Sequence, residues 1–136
     1  MTAVPHPTTR SAPRWAHIAT WVLQVGLAAM YLMSAVPKFL GDPTVVAGFA
    51  AIGFGPTGMA VIGVLEVLGA VGLVVARLAG VAAAALAALM VGAVLFTLAG
   101  PDPAAVVLPA VLLVLDAVVA WVRRDRTAEL LRSVRG

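Results

Sequence analysis

Residues 59–77 have the sequence MAVIGVLEVLGAVGLVVAR. This apolar run is long enough to cross a bilayer and has one carboxylate near its middle, so it predicts a membrane-spanning helix. Read as a helix, one face of this run carries Met59, Gly63, Glu66, Ala70 and Leu73. The opposite face carries Val64, Leu68, Val71 and Val75. The acid therefore lies on the face with small residues, where a neighbouring helix can come close, and the bulky face meets lipid. Because an ionisable group is costly at that depth, Glu66 is the first functional candidate.

The composition requires lipid as the solvent for most of the chain. The 136 residues are 62% hydrophobic and only 11% charged, and the mean hydropathy is +1.08. A soluble domain of this length cannot bury that much apolar surface. The absence of cysteine excludes disulfide exchange, thiolate metal sites and CxxC redox motifs within the chain.

Positive charge is concentrated after the last apolar run. Residues 123–136 hold five arginines against Asp125 and Glu129, and this surplus of three equals the formal net charge of the whole chain, +3. Charge beside a membrane span is typical of contact with anionic headgroups. We therefore expect membrane lipids as partners, no nucleic-acid partner, and a basic amphipathic helix over residues 123–136.

The apolar periods predict an all-α integral membrane four-helix bundle within residues 15–122, with spans at about residues 18–39, 58–76, 78–98 and 104–121. A short helix over residues 43–52 is expected in the membrane interface between helices one and two. Residues 1–14 contain three prolines and are predicted to be a disordered tail. A signal peptide is the competing interpretation, but the first apolar run exceeds the roughly 7–15 residues of a signal core.

The distribution of charge predicts the orientation. Four spans put both termini on one side, together with Arg10, Arg14, Arg77 and the C-terminal arginines. Only Lys38 falls on the other side. The positive-inside rule therefore predicts that both termini of this multi-pass protein are cytoplasmic.

Helix one carries its polar groups on one stripe, since Gln24, Tyr31 and Lys38 are spaced by seven with Ser34 alongside. Matched depth predicts that Tyr31 is level with Glu66 and that Lys38 reaches down to the carboxylate. The candidate ligand-binding residues are therefore Glu66, Tyr31, Lys38 and Ser34. The alternative interpretation is a satisfied polar network that only fixes helix packing.

A second buried acid, Asp116, matches Gln24 in depth, and we expect the two to form a structural hydrogen-bonded pair. A step in a proton path shared with Glu66 is the alternative. The two histidines, His6 and His17, have no ligand company, so no metal site is expected. Phosphate-binding loops, an activated nucleophile and a haem attachment motif are also missing from the sequence.

Four segments resemble the DoxX-like family of small four-span bacterial membrane proteins. They are LQVGLAAMYLMSAVPKFLG (23–41), VVAGF (45–49), GVLEVLGAVGL (63–73) and GPDPAA (100–105). Lys38 and Glu66 fall where such proteins carry a lysine ending helix one and a glutamate in helix two. The chain departs from many relatives at Thr97, where they have a histidine late in helix three.

The resemblance implies a bacterial cytoplasmic (plasma) membrane protein associated with redox or oxidative-stress chemistry, in a family without one settled reaction. We expect an accessory subunit that docks a membrane redox partner protein or contacts quinone through the cluster around Glu66. The chain is not expected to be an enzyme on its own or to hold an intrinsic cofactor. Two alternatives stay open: a non-catalytic scaffold, and a small-solute or proton-coupled carrier using Glu66. A homo-oligomer also stays open.

Overall fold

The computed structural model describes residues 2–5 and 12–136, and these contain six α-helices and no strand. The helices are α1 (Arg14–Leu40), α2 (Pro43–Ala51), α3 (Pro56–Val74), α4 (Ala79–Ala99), α5 (Val107–Val122) and α6 (Arg124–Arg135). A 3₁₀ turn, Pro103–Val106, leads into α5. Four stretches are long and apolar enough to cross a membrane: α1, α3, α4 and the turn with α5. The predicted all-α four-helix membrane bundle is confirmed.

The bounds of the spans differ from the expected ones where the chain turns. Helix α1 begins at Arg14, because the carbonyl of Pro13 already accepts from the backbone of Ala16. Helix α3 ends at Val74, before the turn at residues 75–78. The predicted disordered tail falls largely on residues 1 and 6–11, which lie outside the described residues.

The chain passes from α1 to α2 through a tight turn at Gly41 and Asp42. Gly41 has φ 68°, a left-handed conformation that glycine adopts without strain, and the amide of Asp42 donates to the carbonyl of Pro37. The carboxylate of Asp42 caps α2 by accepting from the amides of Thr44 and Val45. Helix α2 is only 9 residues long, so it connects α1 and α3 without spanning.

The buried face of α3 is the one that the periodicity predicts. Met59, Gly63, Glu66, Ala70 and Leu73 are all buried, whereas Val64, Leu68, Val71 and Val75 are exposed on the outside of the bundle. Helix α1 packs mainly on α3, and α4 packs mainly on α5. At Gly69 a Cβ atom would overlap the side chain of Leu86, so this glycine permits the close approach of α3 to α4.

The bundle has a terminal end and a distal end. The terminal end holds the start of α1, the turn at residues 75–78 and the end of α5, and the distal end holds the end of α1, α2 and residues 100–106. Helix α6 packs against the start of α4 at the terminal end, where a Cβ on Gly80 would collide with the hydroxyl of Thr127. The distal end is where α2 lies against α1 and α3.

Candidate functional site at the distal end

A buried ion pair joins α1 to α3 near the distal end. Lys38 lies in the last turn of α1, and its Nζ is 3.0 Å from Oε2 and 3.2 Å from Oε1 of Glu66. The two side chains are 9% and 4% exposed. Such a pair is tolerated away from water only when the remaining polar atoms also find partners.

Ser34, one turn before Lys38, supplies those partners. The ammonium of Lys38 donates to the carbonyl oxygen and to Oγ of Ser34, each at 2.8 Å, and Ser34 Oγ is 3.0 Å from Glu66 Oε1, to which it donates. The three N–H groups of Lys38 are therefore shared between Ser34 and Glu66. The ring of Phe49 on α2 lies 5.9 Å from the ammonium and adds a weak cation–π contact.

This cluster forms part of the wall of a cavity of about 550 Å³, here called the distal cavity. Its wall comes from the ends of α1 and α4, the starts of α3 and α5, and α2. Most of the wall is apolar, including Phe49, Ile52, Phe54, Leu89, Phe96 and Leu112. Polar side chains enter it at Ser34, Lys38, Glu66, Thr97 and Asp102.

Thr97, where the resemblance implies a histidine, lies on the wall of the distal cavity together with Ser34, Lys38 and Glu66. Its hydroxyl donates to the carbonyl of Ala93 at 2.7 Å within α4. A histidine there would bring a titratable ring to the cavity, whereas the threonine hydroxyl is engaged with its own helix. The distal cavity of this chain therefore has Lys38 as its cation and Glu66 and Asp102 as its acids.

The structure separates Tyr31 from the cluster predicted to contain it. Tyr31 is 1% exposed and does not line the distal cavity, and its hydroxyl donates to Oδ2 of Asp116 on α5. The position of a residue along its helix predicts its depth in the membrane, but it does not predict which neighbouring helix its side chain contacts. Tyr31 turns toward α5, whereas Ser34 and Lys38 of the same helix turn toward α3.

The predicted pair of Gln24 with Asp116 is wrong for the same reason. Gln24 Nε2 donates to the carbonyl of Leu73 at 2.6 Å, and its Oε1 accepts from Arg123 Nε at 2.8 Å. Both Gln24 and Asp116 are fully buried, but Asp116 already has Tyr31 as its partner. Gln24 instead links α1 to the end of α3 and to the residue that follows α5.

Arg123 is buried although its sequence predicts exposure, because it belongs to the arginine-rich segment after Trp121 that is expected to face lipid headgroups. It is 7% exposed and lies over the ring of Trp21 at 5.6 Å. Burial lowers the pKa of this guanidinium from its usual value, and the nearby charge of Arg126 lowers it further. Gln24 lies seven residues before Tyr31 on the polar stripe of α1. Its side-chain oxygen needs a hydrogen-bond donor when it is buried, and this is the signal in the sequence that could have indicated Arg123.

The described residues contain no group of three His, Cys, Asp or Glu side chains that would hold a metal ion. The arrangement at the distal end can instead hold an uncharged ligand by apolar contact and hydrogen bonding. Three of its polar side chains lie together on α1 and α3, where Lys38 and Ser34 are donors and Glu66 is the counter-ion.

Comparison with known proteins identifies the family. The sequence model of the DoxX-like family matches residues 22–122, from the third turn of α1 to the end of α5. No curated protein and no solved structure matches the chain. The matched region contains all four apolar spans apart from the first turns of α1, and it includes every residue of the α1–α3 cluster. The chain is a multi-pass membrane protein and belongs to the DoxX-like family.

Proposed function

We propose that this chain is an accessory subunit of membrane redox or oxidative-stress chemistry that binds a lipophilic carbonyl compound, such as a quinone, in the distal cavity. The observation that carries the proposal is the buried Lys38–Glu66 pair on the wall of an otherwise mainly apolar cavity. Intramembrane ion pairs are expensive and are found mostly at functional sites. The distal cavity beside the ion pair provides space for a ligand in contact with it.

The size and polarity of the distal cavity suit this class of ligand. Its volume of about 550 Å³ lies within the ~300–1,000 Å³ of ordinary ligand pockets. The aromatic side chains of Phe49, Phe54 and Phe96 offer flat apolar surface for a ring. A carbonyl oxygen needs one hydrogen-bond donor, and the donors on this wall are the Lys38 ammonium and the Ser34 hydroxyl.

The hydrogen bonds of the cluster define how a ligand would enter it. Lys38 shares its N–H groups between Ser34 and Glu66, so a carbonyl oxygen competes with Ser34 for the ammonium. The contact to Glu66 holds the side chain of Lys38 at the cavity wall. In this proposal Lys38 and Ser34 contact the ligand, and Glu66 positions Lys38.

A scaffold is the second candidate, and the contacts of the remaining polar residues favour it. Gln24 bridges α1 to α3 and Arg123, and Tyr31 bridges α1 to α5, with neither in contact with the distal cavity. A chain in which Lys38 and Glu66 serve only the same purpose would bind no quinone. The two candidates therefore differ in one measurable property.

Quinone content after purification separates them. The full chain is purified in mild detergent, its bound quinones are extracted and identified, and co-purifying proteins are recorded. Gly92 lines the distal cavity, and a Cβ there meets nothing within 4 Å. Gly92→Leu is therefore expected to fill the cavity and to reduce bound quinone to background while the fold is kept.

Gly26→Leu is the matched control, because Gly26 lies in α1, is exposed, and also has open space at its Cβ. It should keep the wild-type quinone content. Absence of quinone from the wild-type protein, or equal content in the two variants, would leave the scaffold as the function of the chain.

The orientation in the membrane is part of the proposal. We infer that both termini are cytoplasmic in the bacterial plasma membrane, because Arg14, Arg77 and the arginines of residues 123–135 share the terminal end. The distal cavity then opens toward the outer half of the bilayer. A cysteine in place of Thr44 should react with an impermeant thiol reagent in intact cells, and a cysteine in place of Ala128 should not. The reverse pattern of labelling would show that both termini lie outside the cytoplasm.

A further inference from the structure

A second hollow lies at the terminal end, between the turn at residues 75–78 and α6. It has a volume of about 260 Å³, and it is lined by Arg77, Arg126, Glu129, Leu130 and Ser133. Four of these residues follow one face of α6, since they are spaced by three, four and seven positions. The fifth, Arg77, faces them from the turn between α3 and α4.

The two arginines of this hollow have donors to offer. Among the described residues, neither Arg77 nor Arg126 forms an ion pair, and neither side chain donates a hydrogen bond. Arg124 and Arg132 of the same helix differ. Arg124 donates to the carbonyl of Trp121 at the end of α5, at 2.8 Å, and Arg132 donates to the carbonyl of Ala128 in α6, at 3.3 Å. Guanidinium groups without partners on facing walls are suited to a phosphate.

The position of α6 is set by buried contacts rather than by the hollow itself. Thr127 packs where Gly80 leaves room, and its hydroxyl donates to the carbonyl of Arg123 at 3.2 Å. Arg123 is in turn held by Gln24. These contacts hold the backbone of α6 against the start of α4, which directly follows the turn that carries Arg77.

The surroundings of the hollow place it at the level of lipid headgroups. Trp15 and Trp121 are 72% and 68% exposed at the same end, and Arg124 lies 4.4 Å from the ring of Trp121. Exposed tryptophans of this kind mark the membrane interface. Leu131 and Val134 of α6 are also exposed, so apolar surface continues beside the arginines.

We propose that this hollow binds the phosphate of one anionic phospholipid, with Arg77 and Arg126 as its cationic walls and Ser133 as a neutral donor. A phospholipid is favoured over free phosphate because Leu130 in the wall and the exposed Leu131 and Val134 can contact acyl chains. Glu129 is the one carboxylate on the wall, and it opposes binding. The site is independent of the distal cavity and of the function proposed for it.

The test is native mass spectrometry of the full chain after delipidation, titrated with phosphatidylglycerol or phosphatidylcholine. One phosphatidylglycerol should bind in preference to phosphatidylcholine. Arg77→Gln and Arg126→Gln should each weaken its binding about fivefold. Arg135→Gln removes an arginine of the same helix that does not line the hollow, and it should leave binding within twofold of the wild type.

Glu129→Gln gives a variant in which binding should become tighter, so the proposal stays testable if an arginine variant fails to fold. Equal affinity for the two lipids would overturn it, as would a loss in Arg135→Gln as large as that in Arg77→Gln. Displacement of phosphatidylglycerol by inorganic phosphate at equal concentration would show that the hollow takes a free anion instead. A Glu129→Gln protein with unchanged or weaker affinity would also contradict the proposal.

Discussion

The two carboxylates buried in the membrane region, Glu66 and Asp116, have different environments. Glu66 is paired with a lysine, accepts from a serine and lies on the wall of a cavity of about 550 Å³. Asp116 is fully buried, accepts from the Tyr31 hydroxyl and does not line the distal cavity, and its Oδ1 has no hydrogen-bond partner among the described residues. The two acids are therefore similar in burial but differ in their partners and in their access to the distal cavity.

The difference lies in what each acid can exchange. The Lys38 ammonium beside Glu66 also donates to Ser34, and in the proposed function a ligand competes for these bonds at the cavity wall. The Tyr31–Asp116 contact joins α1 to α5, and both side chains are buried and outside the wall of the distal cavity. The proposed function therefore assigns ligand recognition to Glu66 with Lys38, and helix packing to Asp116 with Tyr31.

The largest effect is expected from Lys38→Met, which leaves Glu66 buried without its counter-ion. Breaking a buried pair from one side typically costs about 3–5 kcal/mol of the free energy of unfolding. The double variant Lys38→Met/Glu66→Gln should recover most of that loss, because no isolated charge remains. Unfolding in mixed detergent micelles measures both variants. A loss below about 1 kcal/mol in the single variant would mean that the pair contributes little.

A smaller effect is expected from Tyr31→Phe, which removes the donor to Asp116 without changing the volume of the core. The free energy of unfolding should fall by about 1–2 kcal/mol, as for other hydrogen bonds inside membrane proteins. Quinone binding should be unchanged because Tyr31 lies outside the distal cavity. Weaker quinone binding with unchanged stability would return Tyr31 to the ligand site.

The smallest effect is expected from Asp116→Asn. The asparagine keeps an oxygen that accepts from the Tyr31 hydroxyl, so unfolding should change by less than about 1 kcal/mol. Growth under oxidant stress and bound quinone should match the wild type. A loss of either with intact stability would show that Asp116 takes part in function, for example as a step in proton transfer.

Periodicity in the sequence predicts the helices, the buried face of α3 and the proximity of Lys38, Ser34 and Glu66. These features depend on residue spacing along one helix or on depth between two consecutive spans. The partners of Gln24, Tyr31 and Asp116 depend on which helices adjoin around the bundle axis. Depth carries no information on that angle, and the expected pairs were wrong there.

The two Gly-Asp-Pro-like turns show a further limit of local sequence. Asp42 caps α2 with two hydrogen bonds, whereas Asp102, in the similar sequence before Pro103, makes no side-chain cap. Asp102 has ψ 79°, away from the extended backbone that directs a capping side chain to the following amides, and a 3₁₀ turn follows it. The same Asp-Pro pair therefore starts a capped helix in one place and an uncapped turn in the other.

The dissociation constant of a quinone analogue, measured for the protein in lipid nanodiscs, tests the assignment most directly when Glu66→Gln is compared with Asp116→Asn. Glutamine keeps the size of Glu66 but cannot form the ion pair that positions Lys38. We expect the dissociation constant to rise about tenfold in Glu66→Gln, equivalent to about 1.4 kcal/mol, and to stay within twofold of the wild type in Asp116→Asn. Equal constants for the wild type and Glu66→Gln, or a larger rise in Asp116→Asn, would contradict the assignment.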